Sequence, residues 1–249
     1  MTAKKMVRNI EPDDPMLQYS GRIDDDDPKA PVLIYAASWV KMIFTGTSVA
    51  VTLTNHHAYW TNEMGYLLDG VQGRIRLLND GKKKTYEIAE QLPDARHELM
   101  LFKRMDACHT VTFYGFTVDD GADLLPPEPK PARRMEVFGD SVSCGEVSEA
   151  VDYVGKEDPV HDGQYSNSWY SYAWMTARKL GAELHDTSQG GIALLDGTGW
   201  FGAPAYYVQQ VPVAVKAVQK WLTDLPDSYP ALAPAVAELN IDWSSLAAS

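Results

Sequence analysis

The sequence predicts a β-sandwich in the first half of the chain and an α/β domain in the second. Three observations carry this. Short segments of period-two hydrophobicity fill the first half, a proline-rich run interrupts them, and strand–glycine–helix grammar follows.

The strand signals come in order along the chain. From Ser48 to Thr54, Val49, Val51 and Leu53 alternate with Ala50, Thr52 and Thr54, which puts one face into a core. Arg74 to Leu78 is a second strand signal. It meets Asn79-Asp80-Gly81, and Thr85 to Ala89 follows, so a tight hairpin is expected there because Asp-Gly tolerates positive φ. His97 to Met105 and Thr110 to Val118 supply two more runs rich in Leu, Phe, Val, Thr and Tyr. Several short strands separated by turn chemistry suggest a sandwich.

Pro126-Pro127-Glu128-Pro129-Lys130-Pro131 can continue neither a ladder nor a helix and reads as an extended connector. The expected division is therefore a sandwich over 1–125, a connector over 126–134 and an α/β domain over 135–249. In the last of these, Met135-Glu136-Val137-Phe138 is a buried-strand candidate running into Gly139-Asp140-Ser141. Asn167 or Ser168 can cap a helix whose Trp169, Tyr172, Ala173, Thr176 and Leu180 share one face, with Gly181 as its stop. Ala182 to Leu184 is the next strand, ending at Ser188-Gln189-Gly190-Gly191. Val215, Val218 and Leu222 mark a further helix after Pro212.

Composition narrows the function. The formal charge is −12 over 249 residues, which repels nucleic acid and anionic bilayers, so neither is an expected partner. The two cysteines, Cys108 and Cys144, have no metal-ligand spacing and form no disulfide framework. Four consecutive acids, Asp24 to Asp27, lack the spaced ligands of a calcium loop and read as a solvated turn, so no metal and no cofactor is assigned. No apolar run reaches the roughly 18 residues of a spanning helix. The first nine residues carry basic side chains without an apolar stretch behind them, so the chain as written reads as cytoplasmic, or as exported if a leader has been removed.

A serine just after a strand and beside a glycine sits where its hydroxyl can be lifted from the sheet's C-terminal edge, next to backbone amides. Gly139-Asp140-Ser141 has that placement; it also fits an Asx turn or a helix cap. The longer stretch from Val137 to Glu146 resembles the first block of the SGNH (GDSL) hydrolases. Leu184-His185-Asp186-Thr187-Ser188-Gln189-Gly190-Gly191-Ile192-Ala193-Leu194 resembles their second. Together with a sandwich in front, the two blocks are similar to carbohydrate esterase family 2, over about residues 30 to 202.

That resemblance implies a three-layer SGNH-hydrolase-like domain behind a jelly-roll-like sandwich. It implies removal of acetyl groups from carbohydrates such as acetyl xylan, with Ser141 as nucleophile. The oxyanion hole would be the Ser141 amide with Gly191, or else Gly190. Asp140 is expected to fix the turn, and Cys144 to be a packed residue. Trp200 and Phe201, after a glycine-rich run, are candidates to stack on a sugar face. Tyr170, Tyr172 and Trp174 are expected in the core.

The pattern departs from the family further on. No Gly-x-Asn-Asp-like or Asp-x-x-His-Pro-like stretch is present, and no histidine follows Gly202. The α/β domain is therefore expected to be incomplete, and the general base is unassigned. His161, in a polar loop, and His185 are within reach of the cleft; His56, His57, His97 and His109 are expected in surface or cap roles. His56-His57 beside Tyr59 and Trp60 are an alternative sugar-facing surface. The rival to an esterase is a catalytically impaired or non-catalytic carbohydrate-binding scaffold.

Overall fold

The computed structural model describes residues 7–193. The chain divides into two compact units, Met1–Gly190 and Gly191–Ser249, and the second is described only over 191–193.

Short strands come first: Val7–Ile10 (β1), Gln18–Ser20 (β2), Ile23–Asp24 (β3) and Val32–Leu33 (β4). Longer ones follow at Trp39–Gly46 (β5), Val49–His56 (β6), Glu63–Leu68 (β7), Val71–Arg76 (β8) and Lys84–Ala89 (β9). Ala95–Lys103 (β10), Thr110–Asp119 (β11) and Leu124–Leu125 (β12) complete two antiparallel sheets. One has the order β3-β4-β11-β6-β9, with β1 also on β11. The other is β12-β5-β10-β7-β8, with β2 also on β5.

Alternation explains the layers. Val49, Val51 and Leu53 of β6 and Val111, Phe113, Phe116 and Val118 of β11 point inward from one sheet. They meet Val40, Met42 and Phe44 of β5 and Leu99 and Leu101 of β10 from the other. Each such side chain, fully buried, contributes about 1.5–3 kcal/mol, so this apolar layer is what holds the sandwich together.

The hairpin expected at Asn79-Asp80-Gly81 does not form. Gly81 has the positive φ of +63°, yet β8 pairs with β7 in one sheet while β9 pairs with β6 in the other. The turn reverses the chain across the sandwich rather than within a ladder, because turn chemistry sets local dihedrals and not the strand's partner.

Beyond the sandwich, Arg133–Gly139 (β13) pairs in parallel with Ala182–Ser188 (β14). Between them lie a short helix, Ser141–Cys144 (α1), and a longer one, Tyr172–Leu180 (α2). This is the part of the α/β domain that the described residues contain. Asn167 caps only a 3-10 turn over Ser168–Tyr170, and Ser171 caps α2 by accepting the Trp174 N–H at 3.1 Å. Gly181 stops it in the left-handed conformation, as expected.

The buried face of α2 is Ala173, Trp174 and Ala177; Ala173 is buried as expected, but Tyr172 and Leu180 are 52% and 50% exposed, and Thr176 is exposed too. Two alanines let the helix approach closely, and Trp174 fills the space between Phe102 and Trp169. Trp174 is thus core, whereas Tyr170 and Tyr172 are exposed.

This second apolar cluster uses the outer face of the β5-β10 sheet. Phe102 of β10 packs with Ala37, Ala173, Trp174, Ala177 and Leu184. The helix through Val215, Val218 and Leu222 lies outside the described residues. Among those described, no helix is long and apolar enough to cross a membrane.

Candidate active site

The parallel register brings the two predicted blocks side by side, with Gly139 at the end of β13 opposite Ser188 at the end of β14. The Gln189 N–H donates to the Gly139 carbonyl at 3.1 Å and closes the pair.

Asp140 ends β13 and caps α1, its carboxylate accepting the Val142 N–H at 3.0 Å. It fixes the turn. Ser141 is the first residue of the helix, where amides have no intrahelical acceptor. Gly145 closes α1 at φ +77°, and a Cβ there would lie 2.6 Å from the Asn167 carbonyl oxygen, so only glycine fits.

Ser141 is half-buried and lines an open cleft of about 450 Å³ with Glu146, Asp158, His161, Tyr170 and Tyr172. Two residues along, Ser143 is buried and shares a hydrogen bond of 2.8 Å with the Tyr172 hydroxyl. Cys144 is a packed residue: burial, then Asp186 and Asp106, push its thiol well up. Burial likewise raises Cys108 to about 11.

Of the two histidines expected within reach, His161 lines the Ser141 cleft and His185 does not. His161 rests against Trp60 at 4.4 Å between ring centroids, and its Nδ1 accepts the Gly163 N–H at 3.3 Å. The neutral ring therefore carries its proton on Nε2. His185 stays on β14, 3.8 Å from Glu183.

His97 and His109 are interior, not surface, residues. His97 bonds the Asp69 carboxylate at 2.7 Å and the Pro93 carbonyl at 2.8 Å, two acceptors that demand two donors. Although burial opposes it, these bonds raise its pKa. The His109 ring accepts the Ala58 N–H and meets Tyr59 edge-on, and burial lowers it to about 4.

The strand end at Gly190 is occupied on one side. Its N–H donates to Asp106 Oδ2 at 2.8 Å, and a Cβ would lie 2.7 Å from that oxygen and 3.1 Å from Glu146 Oε2. Burial first, then Asp106, Asp158 and Asp140, raise the Glu146 pKa. Asp106 and Glu146 escaped the sequence reading. The one available signal was the charged Lys103-Arg104-Met105-Asp106 breaking the alternation after Phe102. Trp200 and Phe201 lie outside the described residues, and Gly191 has φ +77°.

Residues 19–128 match the family model Carbohydrate esterase 2 N-terminal. Two curated relatives extend past that segment. The cellulase/esterase CelE of Acetivibrio thermocellus is 32% identical over 193 residues, 77% of this chain and 22% of that protein. The acetylxylan esterase / glucomannan deacetylase of Cellvibrio japonicus is 27% identical over 191 residues, 76% of this chain and 51% of that protein. The chain thus spans no more than about half the length of either. Among solved structures, a family two carbohydrate esterase from Clostridium thermocellum, in complex with cellohexaose, superposes with a TM-score of 0.65 at 24% identity. That match covers 86% of this chain and 74% of the other, and it shows a common fold.

Proposed function

We propose that this chain, whose residues 19–128 match the carbohydrate esterase 2 N-terminal model, hydrolyses O-acetyl esters on carbohydrates with Ser141 as nucleophile. The observation that carries the proposal is the placement of Ser141. It begins a capped helix at the end of β13, beside the end of β14, and lines an open cleft. The names of the two curated relatives, both esterases, support the reaction class.

In the reaction, Ser141 Oγ bonds to the acetyl carbonyl carbon, and the carbonyl π pair becomes an oxyanion. The hydroxyl proton passes to a base and then to the departing sugar oxygen. Water next cleaves acetyl-serine to acetate and restores the hydroxyl. The Ser141 N–H serves as the first oxyanion donor. We assign the second to Gly191, since Gly190 gives its N–H to Asp106. Each aimed donor contributes about 2.7–4 kcal/mol in the transition state.

His161 is the imidazole that lines this cleft. Its Nδ1 lone pair is engaged with Gly163, so the ring offers Nε2–H as a donor to a sugar oxygen. Accepting the serine proton requires a tautomer exchange, and acylation is expected to be slow. Neutral acetylated sugars suffer no repulsion from a chain of charge −12.

The test is acetate release from acetylated xylan and p-nitrophenyl acetate by the chain and by Ser141→Ala. Loss of all turnover above background in a variant of unchanged circular dichroism is expected. Equal turnover would eliminate the serine mechanism.

A further inference from the structure

The end of β10 and the loop after it carry three buried charged residues, Lys103, Arg104 and Asp106, that the esterase reading leaves unused. Lys103 is fully buried; its ammonium donates to the Met105 carbonyl at 2.7 Å and also to that of Asp106. Its own carbonyl accepts the Ser168 hydroxyl at 2.7 Å and the Ala37 N–H at 3.0 Å. A loop tied at so many points has little freedom.

From it, the Asp106 carboxylate accepts the Cys108 N–H at 3.2 Å on one oxygen and the Gly190 N–H at 2.8 Å on the other. A second tie runs alongside, the Gln189 side-chain amide donating to Cys108 Sγ at 3.3 Å. Gly190 also needs to be glycine here, because a Cβ would collide with Asp106.

We propose that Asp106 is a positioning residue of the esterase site: by holding the Gly190 N–H, it fixes the end of β14 beside the β13 end that leads into Ser141. A strand end whose backbone amide is anchored cannot swing away from its neighbour, so the β13 end that leads into Ser141 keeps its geometry. Asp106 thereby withdraws Gly190 as an oxyanion donor. The sandwich, on this account, is a structural part of the catalytic half and not an appended binding module. The inference rests on the esterase reading, and its test separates the two.

The full chain is compared with Asp106→Ala and Asp106→Asn by steady-state kinetics on p-nitrophenyl acetate and by hydrogen exchange at the Gly190 amide. Asp106→Ala should lower kcat about a hundredfold with KM within about twofold, the cost of a misplaced group in the site. Its Gly190 amide should exchange fast. Asp106→Asn keeps one carbonyl oxygen for the shorter bond, and should recover most of kcat and the slow exchange. If Asp106→Ala does not fold, Asp106→Asn and exchange in the unmutated chain decide.

Fast Gly190 exchange in the unmutated chain, unaltered exchange in Asp106→Ala, or fast exchange with undiminished kcat would each overturn the proposal. Should Asp106→Asn lose as much kcat as Asp106→Ala while its Gly190 amide stays protected, the proposal is also overturned. Absence of Ser141-dependent turnover in the unmutated chain would remove the esterase reading instead, while exchange at Gly190 would still report whether Asp106 holds the strand end.

Discussion

The sandwich and the β13-β14 pair are held together by different forces. Within the sandwich, apolar side chains from both sheets close on one another. The parallel pair has a small cluster around Trp174, and otherwise leans on polar ties. Ser20 donates to Glu183 at 2.8 Å, Lys130 to Glu183 at 2.7 Å, Arg22 pairs with Glu136, and Asp106 takes the Gly190 N–H. Apolar burial is strong and non-directional. Hydrogen bonds are weak but directional, which is what a strand end carrying the proposed nucleophile requires. The apolar half supplies the reference frame, and the half that carries Ser141 is tied to it.

The sharpest way to break this contrast is Trp174→Ala. Loss of a large buried aromatic costs about 3–5 kcal/mol, and here it should fall on the parallel pair. Hydrogen exchange should show β13 and β14 opening while β6 and β11 stay protected. Uniform deprotection of both regions would mean that they unfold as one.

Next is Asp186, buried on β14 and raised by that burial from 3.8 to about 7, although the Ser188 hydroxyl opposes the shift. Between about pH 4 and 7 the unfolded chain has released a proton that the folded chain keeps. Stability therefore falls as pH rises through that window, by roughly 4 kcal/mol at most. Asp186→Asn should flatten the denaturant-midpoint profile and be the more stable form at pH 8. A parallel pH dependence in both would contradict this.

Glu183, three residues earlier on the same strand, behaves oppositely. Burial alone would raise it, but His185, Lys130 and Ser20 hold it down to about 2. Its contribution is complete above about pH 4.5 and is lost as pH falls toward 2. Glu183→Gln should lose about 2–3 kcal/mol at neutral pH, by the conversion of pKa shift into stability. Acid titrations of the two chains should then converge near pH 2. An undiminished neutral stability would show that the polar ties to the sandwich carry no weight.

How much of this was legible follows from the range of each interaction. The alternation of β6, the Leu-, Phe- and Val-rich runs of β10 and β11 and the strand running into Gly139-Asp140-Ser141 are local patterns, and each strand is found where the sequence placed it. Partner choice is not local. Asn79-Asp80-Gly81 specified a turn without saying which sheet receives β9. The face of α2 was right at Ala173 but mistaken at Tyr172 and Leu180, which are apolar yet outward, while close approach selected Ala177 and Trp174. The charged stretch after Phe102 marked Asp106 without its role, because the bond it accepts spans 84 residues and follows no spacing rule.

The most direct test of the central claim is chemical trapping. The chain is mixed with p-nitrophenyl acetate, quenched in acid before steady state, digested and mapped by mass spectrometry. The account predicts one acetyl group, carried on Ser141, with a matching burst of nitrophenolate. Turnover with no acetyl on Ser141, or with acetyl on another side chain in its place, would contradict it.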